Sequence, residues 1–139
     1  ADLAAAKKDG TTPAHRAAQN GHLEVLRLLL QAKADLGAAR DDGVTPAFMA
    51  AQNGHLEALQ VLRQAGADLA AAKKDGTTPA HRAAQNGHLE VLRLLLQAKA
   101  DLGAARDDGV TPAFMAAQNG HLEALQVLRQ AGADLAAAK

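Results

Sequence analysis

The chain has 139 residues, no cysteine, and 15 lysines and arginines against 15 aspartates and glutamates, so it carries no net charge. That balance leaves no global field to draw in nucleic acid or an anionic membrane surface. The missing thiols exclude disulfides, thiolate metal sites and cysteine nucleophiles, and no apolar run approaches the ~18 residues of a membrane span. Hydrophobic residues make up 48% of the chain, but most are alanine and leucine, and Phe48 and Phe114 are the only aromatics. The core has to come from bringing helices close together rather than from filling space with rings.

From the N-terminus, residues 1–10 (ADLAAAKKDG) lack the charged-then-apolar layout of a secretory signal and end on Asp-Gly turn chemistry. Thr12-Pro13 predicts a helix start, because the Thr hydroxyl accepts from an orphan N–H and Pro has none to waste at the first helical position. The helix AHRAAQN runs about two turns to Gly21, a left-handed stop, and HLEVLRLLLQA begins a second helix. In it Leu23, Leu26, Leu29 and Leu30 recur at helical spacing and mark a buried face. Residues up to Gly43 then read as an extended, hairpin-like excursion.

The same succession returns three more times. The phrase DGTTPAHRAAQNGH stands at Asp9–His22 and again at Asp75–His88, and its relative DGVTPAFMAAQNGH stands at Asp42–His55 and Asp108–His121. Residues 1–66 and 67–132 are identical, and each block divides into two similar halves of 33 residues. This predicts a single repeat domain over 1–139, with repeats at 1–33, 34–66, 67–99 and 100–132 and a partial repeat at 133–139 that copies residues 1–7. The chain reads as a window cut from a longer array. A period of this size signals a solenoid, in which each unit buries its apolar face against its neighbours.

Helix, turn, helix and hairpin at a period of 33, with TPAH opening the first helix and DG, AA, NGHLE, VLRLLL and GAD in phase, resemble the ankyrin repeat family over the whole chain. The resemblance implies an all-α repeat solenoid, an ankyrin-like stack of helix-turn-helix units with hairpin loops. It also implies a non-enzymatic protein whose concave face, made of hairpin tips and first helices, binds other proteins. Carried over residue by residue, the contact positions in the first pair of repeats are Lys8, Asp9, Thr11, Arg16, Gln19 and Asn20, then Asp41, Asp42, Val44, Met49, Gln52 and Asn53. Their copies are Lys74, Asp75, Thr77, Arg82, Gln85 and Asn86, then Asp107, Asp108, Val110, Met115, Gln118 and Asn119.

Three departures from the family pattern carry expectations. Ala14, Ala47, Ala80 and Ala113 replace the Leu of TPLH and should thin the core. His15 and Arg16 alternate with Phe48 and Met49, while Val25, Leu28 and Leu30 give way to Ala58, Val61 and Arg63. Adjacent repeats are therefore expected to be complementary in volume, with the 66-residue pair as the structural unit. Lys33 and Lys99 stand where Gly66 and Gly132 stand in the other repeats, and a left-handed backbone there costs roughly 1 kcal/mol relative to Gly.

The remaining constellations point away from chemistry. The resemblance gives the six histidines hydrogen-bonding roles, and no HExxH or i, i+4 His pair suggests a metal. Asp41/Asp42 and Asp107/Asp108 are expected on exposed hairpins with ordinary pKa values rather than as an acid–base couple. The twelve glycines are spaced as turn punctuation, not in a phosphate-binding register, so no cofactor is expected. Arg16 and Arg82 read either as partly exposed helix residues or as cationic contacts on the concave face. Residues 1–33 carry +2 (Lys7, Lys8, Arg16, Arg27, Lys33 against Asp2, Asp9, Glu24) and residues 34–66 carry −2 (Arg40, Arg63 against Asp35, Asp41, Asp42, Glu57), so the stack is striped in charge.

Two functional readings follow. One is a scaffold for an unnamed protein partner, short of Trp and Tyr anchors. The other is a self-stacking unit whose terminal repeats lack polar caps and so form head-to-tail filaments. Identical blocks mean a recent duplication or deliberate assembly, and the clean phase favours an engineered or idealised array. A reducing, cytoplasmic setting is expected, with neither nucleic acid nor membrane as partner.

Overall fold

A computed structural model describes residues 5–137. Among them the chain forms eight α-helices and no strands: α1 (Pro13–Asn20), α2 (Leu23–Gln31), α3 (Pro46–Gln52), α4 (Leu56–Gln64), α5 (Pro79–Gln85), α6 (Leu89–Gln97), α7 (Pro112–Gln118) and α8 (Leu122–Gln130). The second helices are one residue shorter at each end than their hydrophobic pattern predicts, because His and Ala occupy the caps.

Each first helix starts as Thr-Pro chemistry dictates. The hydroxyl of Thr12 accepts from the backbone N–H of His15 at 3.3 Å, and Pro13 fills the first helical position. His15 closes the box by accepting the Thr12 backbone N–H on Nδ1 at 3.1 Å, so both ends of the cap are satisfied. His81 repeats this on Thr78. In the even repeats Thr45 and Thr111 cap the N–H groups of Phe48 and Phe114, and a phenyl ring has no atom to return the second bond.

Packing builds two layers. The first helices stack in succession, α1 on α3 on α5 on α7; the second helices stack as α2, α4, α6 and α8; and each first helix packs on its own second helix. The first layer is lined by alanine: Ala18, Ala50, Ala51, Ala83, Ala84 and Ala116 are all fully buried. The alanines in place of the Leu of the family pattern, Ala14, Ala47, Ala80 and Ala113, are buried in the same layer. The second layer is leucine. Leu26, Leu59, Leu62, Leu92, Leu95 and Leu128 are completely buried, each contributing about 1.5–3 kcal/mol from apolar burial.

The hairpin excursions are turns rather than strands. Lys7 N–H donates to Thr11 O (2.8 Å) and Gly10 N–H to Lys7 O (2.9 Å), and the three later loops repeat both bonds. One main-chain bond then joins each tip to the next: Asp41 N–H to Asp9 O (2.8 Å), Lys74 N–H to Asp42 O (3.0 Å) and Asp107 N–H to Asp75 O (2.9 Å). Lys33 and Lys99 are the two non-glycine residues with positive φ among those described, at 60° and 62°, which is the left-handed geometry their place in the repeat predicts.

Candidate functional site

The surface made by the hairpin tips and first helices is pinned from below. Asp9, Asp42, Asp75 and Asp108 each accept the backbone N–H two residues on, at 2.9–3.1 Å, which folds the tip into a tight Asx turn. Arg40 adds a forked contact to Asp42, Nη2 to Oδ2 at 2.6 Å and Nε to Oδ1 at 3.2 Å. That guanidinium, with the Val44 N–H, holds the Asp42 carboxyl at a pKa of about 2. The expectation of an ordinary pKa at Asp42 is therefore corrected: a turn-forming, ion-paired carboxylate is driven further from a proton-accepting role. Arg106 makes the same contact with Asp108.

Histidine carries the joints between repeats in two ways. His15 Nε2 donates to Val44 O at 2.8 Å, tying α1 to the hairpin of the next repeat, and His81 does the same to Val110 O. Because Nδ1 already accepts a backbone N–H, each ring must be the neutral Nε2–H tautomer. Burial pushes the pKa of both below the usual histidine value, partly offset by the carbonyl they face. The second set, His55, His88 and His121, donates from Nε2 to the carbonyls of Gln19, Gln52 and Gln85 in the preceding repeat, each at 3.0 Å. Asn53 and Asn86 add a side-chain N–H to Gln19 O and Gln52 O. These glutamine carbonyls are joints that sequence reasoning missed, since any residue can supply a carbonyl.

The residues carried over as contact positions divide by exposure. Lys8, Asp9, Arg16, Asn20, Asp41, Asn53, Lys74, Asp75, Asn86, Asp107, Asp108, Gln118 and Asn119 are exposed, and Gln19, Asp42, Met49, Gln52, Arg82 and Gln85 are half-buried. Thr11, Val44, Thr77, Val110 and Met115 are buried, because their turns fold inward beneath the tips, and their side chains serve packing rather than an accessible surface. The two arginines differ although their repeats are identical. Arg16 is exposed with Nη1 on Gln19 (3.1 Å), and Arg82 is half-buried with Nη1 on Gln85 (2.8 Å).

Elsewhere the surface is plain. A depression of about 510 Å³ between α4 and α6 is lined by Gln60, Arg63, Gln64, Leu94 and Gln97, with no carboxylate or histidine among them. No group of three His, Asp or Glu side chains able to hold a metal ion gathers among the described residues. No helix there is long and apolar enough to cross a membrane.

A search of curated proteins found no match to the chain. Comparison with family models matches ankyrin repeats, in a model of three copies, over residues 1–73 and again over 66–139. The match covers every helix pair and hairpin described above, and the chain belongs to the ankyrin repeat family.

Proposed function

We propose that this chain is a non-enzymatic scaffold that holds a protein partner against its row of hairpin tips and first helices. Ankyrin repeats generally mediate protein–protein interaction. The observation that carries the reading here is the main-chain ladder from tip to tip. It fixes Asp41, Lys74 and Asp107 in a set register with Lys8 next to the first rung at Asp9, so little loop entropy is lost when a partner binds. The row alternates in sign, and Arg16 and Arg82 sit beside it two repeats apart. If helices pack near 10 Å, two repeats advance about 20 Å, which suits a partner with acidic groups at that spacing. The test is retention of proteins by the immobilised chain and by an Arg16→Glu, Arg82→Glu variant. A protein held by the parent and lost by the variant supports the reading; equal retention by both contradicts it.

The letter-for-letter identity of residues 1–66 and 67–132 supports an engineered or idealised array, which recoded synonymous codons in the gene would reveal. A cytoplasmic setting fits a chain without thiols.

One observation favours a second reading, end-to-end self-stacking. Val25 and Leu28 are 45% and 55% exposed, while their copies Val91 and Leu94, covered by the preceding repeat, are 1% and 6% exposed. A head-to-tail contact does not close on itself and yields open filaments. Sedimentation that stays monomeric at high concentration and low salt contradicts this reading.

A further inference from the structure

We infer that the partner of the exposed α2 face is the α8 end of a second copy of this chain, seated in the register of the internal junction between the second and third repeats. This deepens the end-to-end reading and rests on it. The internal junction is the template, because repeat four is identical to repeat two and repeat one to repeat three. At the internal junction His88 reaches Gln52 O, Lys74 N–H reaches Asp42 O, and Val91 and Leu94 are covered. Shifted by 66 residues, the same contacts become His22 to Gln118 O, Lys8 N–H to Asp108 O, and Val25 and Leu28 against α8 of the second copy.

At the α8 end Gly120 and Leu122 are uncovered, and at the other end the His22 ring is. A methyl group added at Gly21, Gly54 or Gly87 meets the ring of His55, His88 or His121 within 2.9 Å, whereas at Gly120 it meets nothing within 4 Å. The socket for the next histidine is formed and empty. His22, whose ring belongs there, is exposed, and its side chain makes no hydrogen bond at the α2 cap. Leu122 is 66% exposed at the same end, while its copy Leu56 is half-buried beside the third repeat. Charge agrees as well, since the first repeat carries +2 and the last −2.

Sedimentation velocity across a concentration series tests this with two variants at exposed sites, Leu28→Glu and Leu122→Glu, each checked for unchanged helical circular dichroism. The parent chain should lengthen with concentration. Each variant alone should need at least about tenfold more protein to associate, because a carboxylate is forced into an apolar joint. The mixture should form one-to-one dimers and stop there, since one variant keeps its α8 end and the other its α2 face. Absence of any association by the parent overturns the end-to-end reading. Association that both variants share with the parent, dimerisation of either variant alone at the concentrations where the parent associates, or a monomeric mixture overturns the register and leaves end-to-end stacking standing.

Discussion

Lys33 and Lys99 hold a left-handed backbone at φ near 60°, where a Cβ crowds the following carbonyl. Replacing both with Gly should stabilise the chain by about 0.5–1 kcal/mol at each site, part of the relief being offset by the entropy of Gly in the unfolded state. Thermal unfolding checks it, with a rise of about 3–5 °C expected for each kcal/mol gained. His15 and His81 set a pH response of definite sign. Their pKa values are lowered in the fold, so their contribution is fully present above the unfolded value of about 6.5 and is lost as pH falls toward the lowered value. The denaturant midpoint should therefore drop as pH falls below 6.5, and His15→Phe, His81→Phe, using the residue the even repeats carry, should flatten that drop. Asp42 acts lower on the scale: its pKa falls from 3.8 to about 2, so its stabilisation is present above 3.8 and lost on acidification through about 2. Asp42→Asn should weaken the chain at neutral pH and remove that part of the acid loss. The left-handed lysines were legible in the sequence because the in-phase glycines marked the spot. The Asp42 pairing was not, since Arg40 reaches it only after the hairpin closes.

At the scale of elements, α2 and α6 share one sequence, LEVLRLLLQ, and differ only in what lies against them. The valine and leucine that α6 buries are about half exposed on α2, a difference of roughly 2 kcal/mol of apolar burial. In dilute solution the shared peptide should show two hydrogen-exchange populations whose rates differ by at least about tenfold, the faster one belonging to α2. A single population means that neighbours do not set helix stability. Helix starts, stops and buried leucines were readable because capping and periodicity are local. The unequal burial of identical helices was not, because it depends on place in the stack. The volume trade between repeats makes a related prediction. Phe48 is buried, with the Lys73 ammonium 6.0 Å above its ring, whereas Phe114 is half-buried, so Phe48→His should lower the melting temperature by more than Phe114→His.

Across the whole molecule, no repeat owns a core. Each alanine and leucine layer is completed by the next helix pair, and the Nε2 bonds of His15, His55, His81, His88 and His121 and the tip-to-tip bonds run from one repeat to its neighbour. Stability should then behave as a sum over repeats and the joints between them. The family and its period were plain in the sequence because tandem identity is visible without a fold. The uncapped ends were legible too, because the terminal repeats copy the internal ones, whereas the carbonyl acceptors needed coordinates. The most direct measurement is denaturant unfolding of chains of one, two, three and four repeats cut at the 33-residue period. Neighbour-dependent stacking predicts that a single repeat has no cooperative transition and that the midpoint climbs with each repeat added. A single repeat that unfolds cooperatively at the midpoint of the four-repeat chain would contradict it.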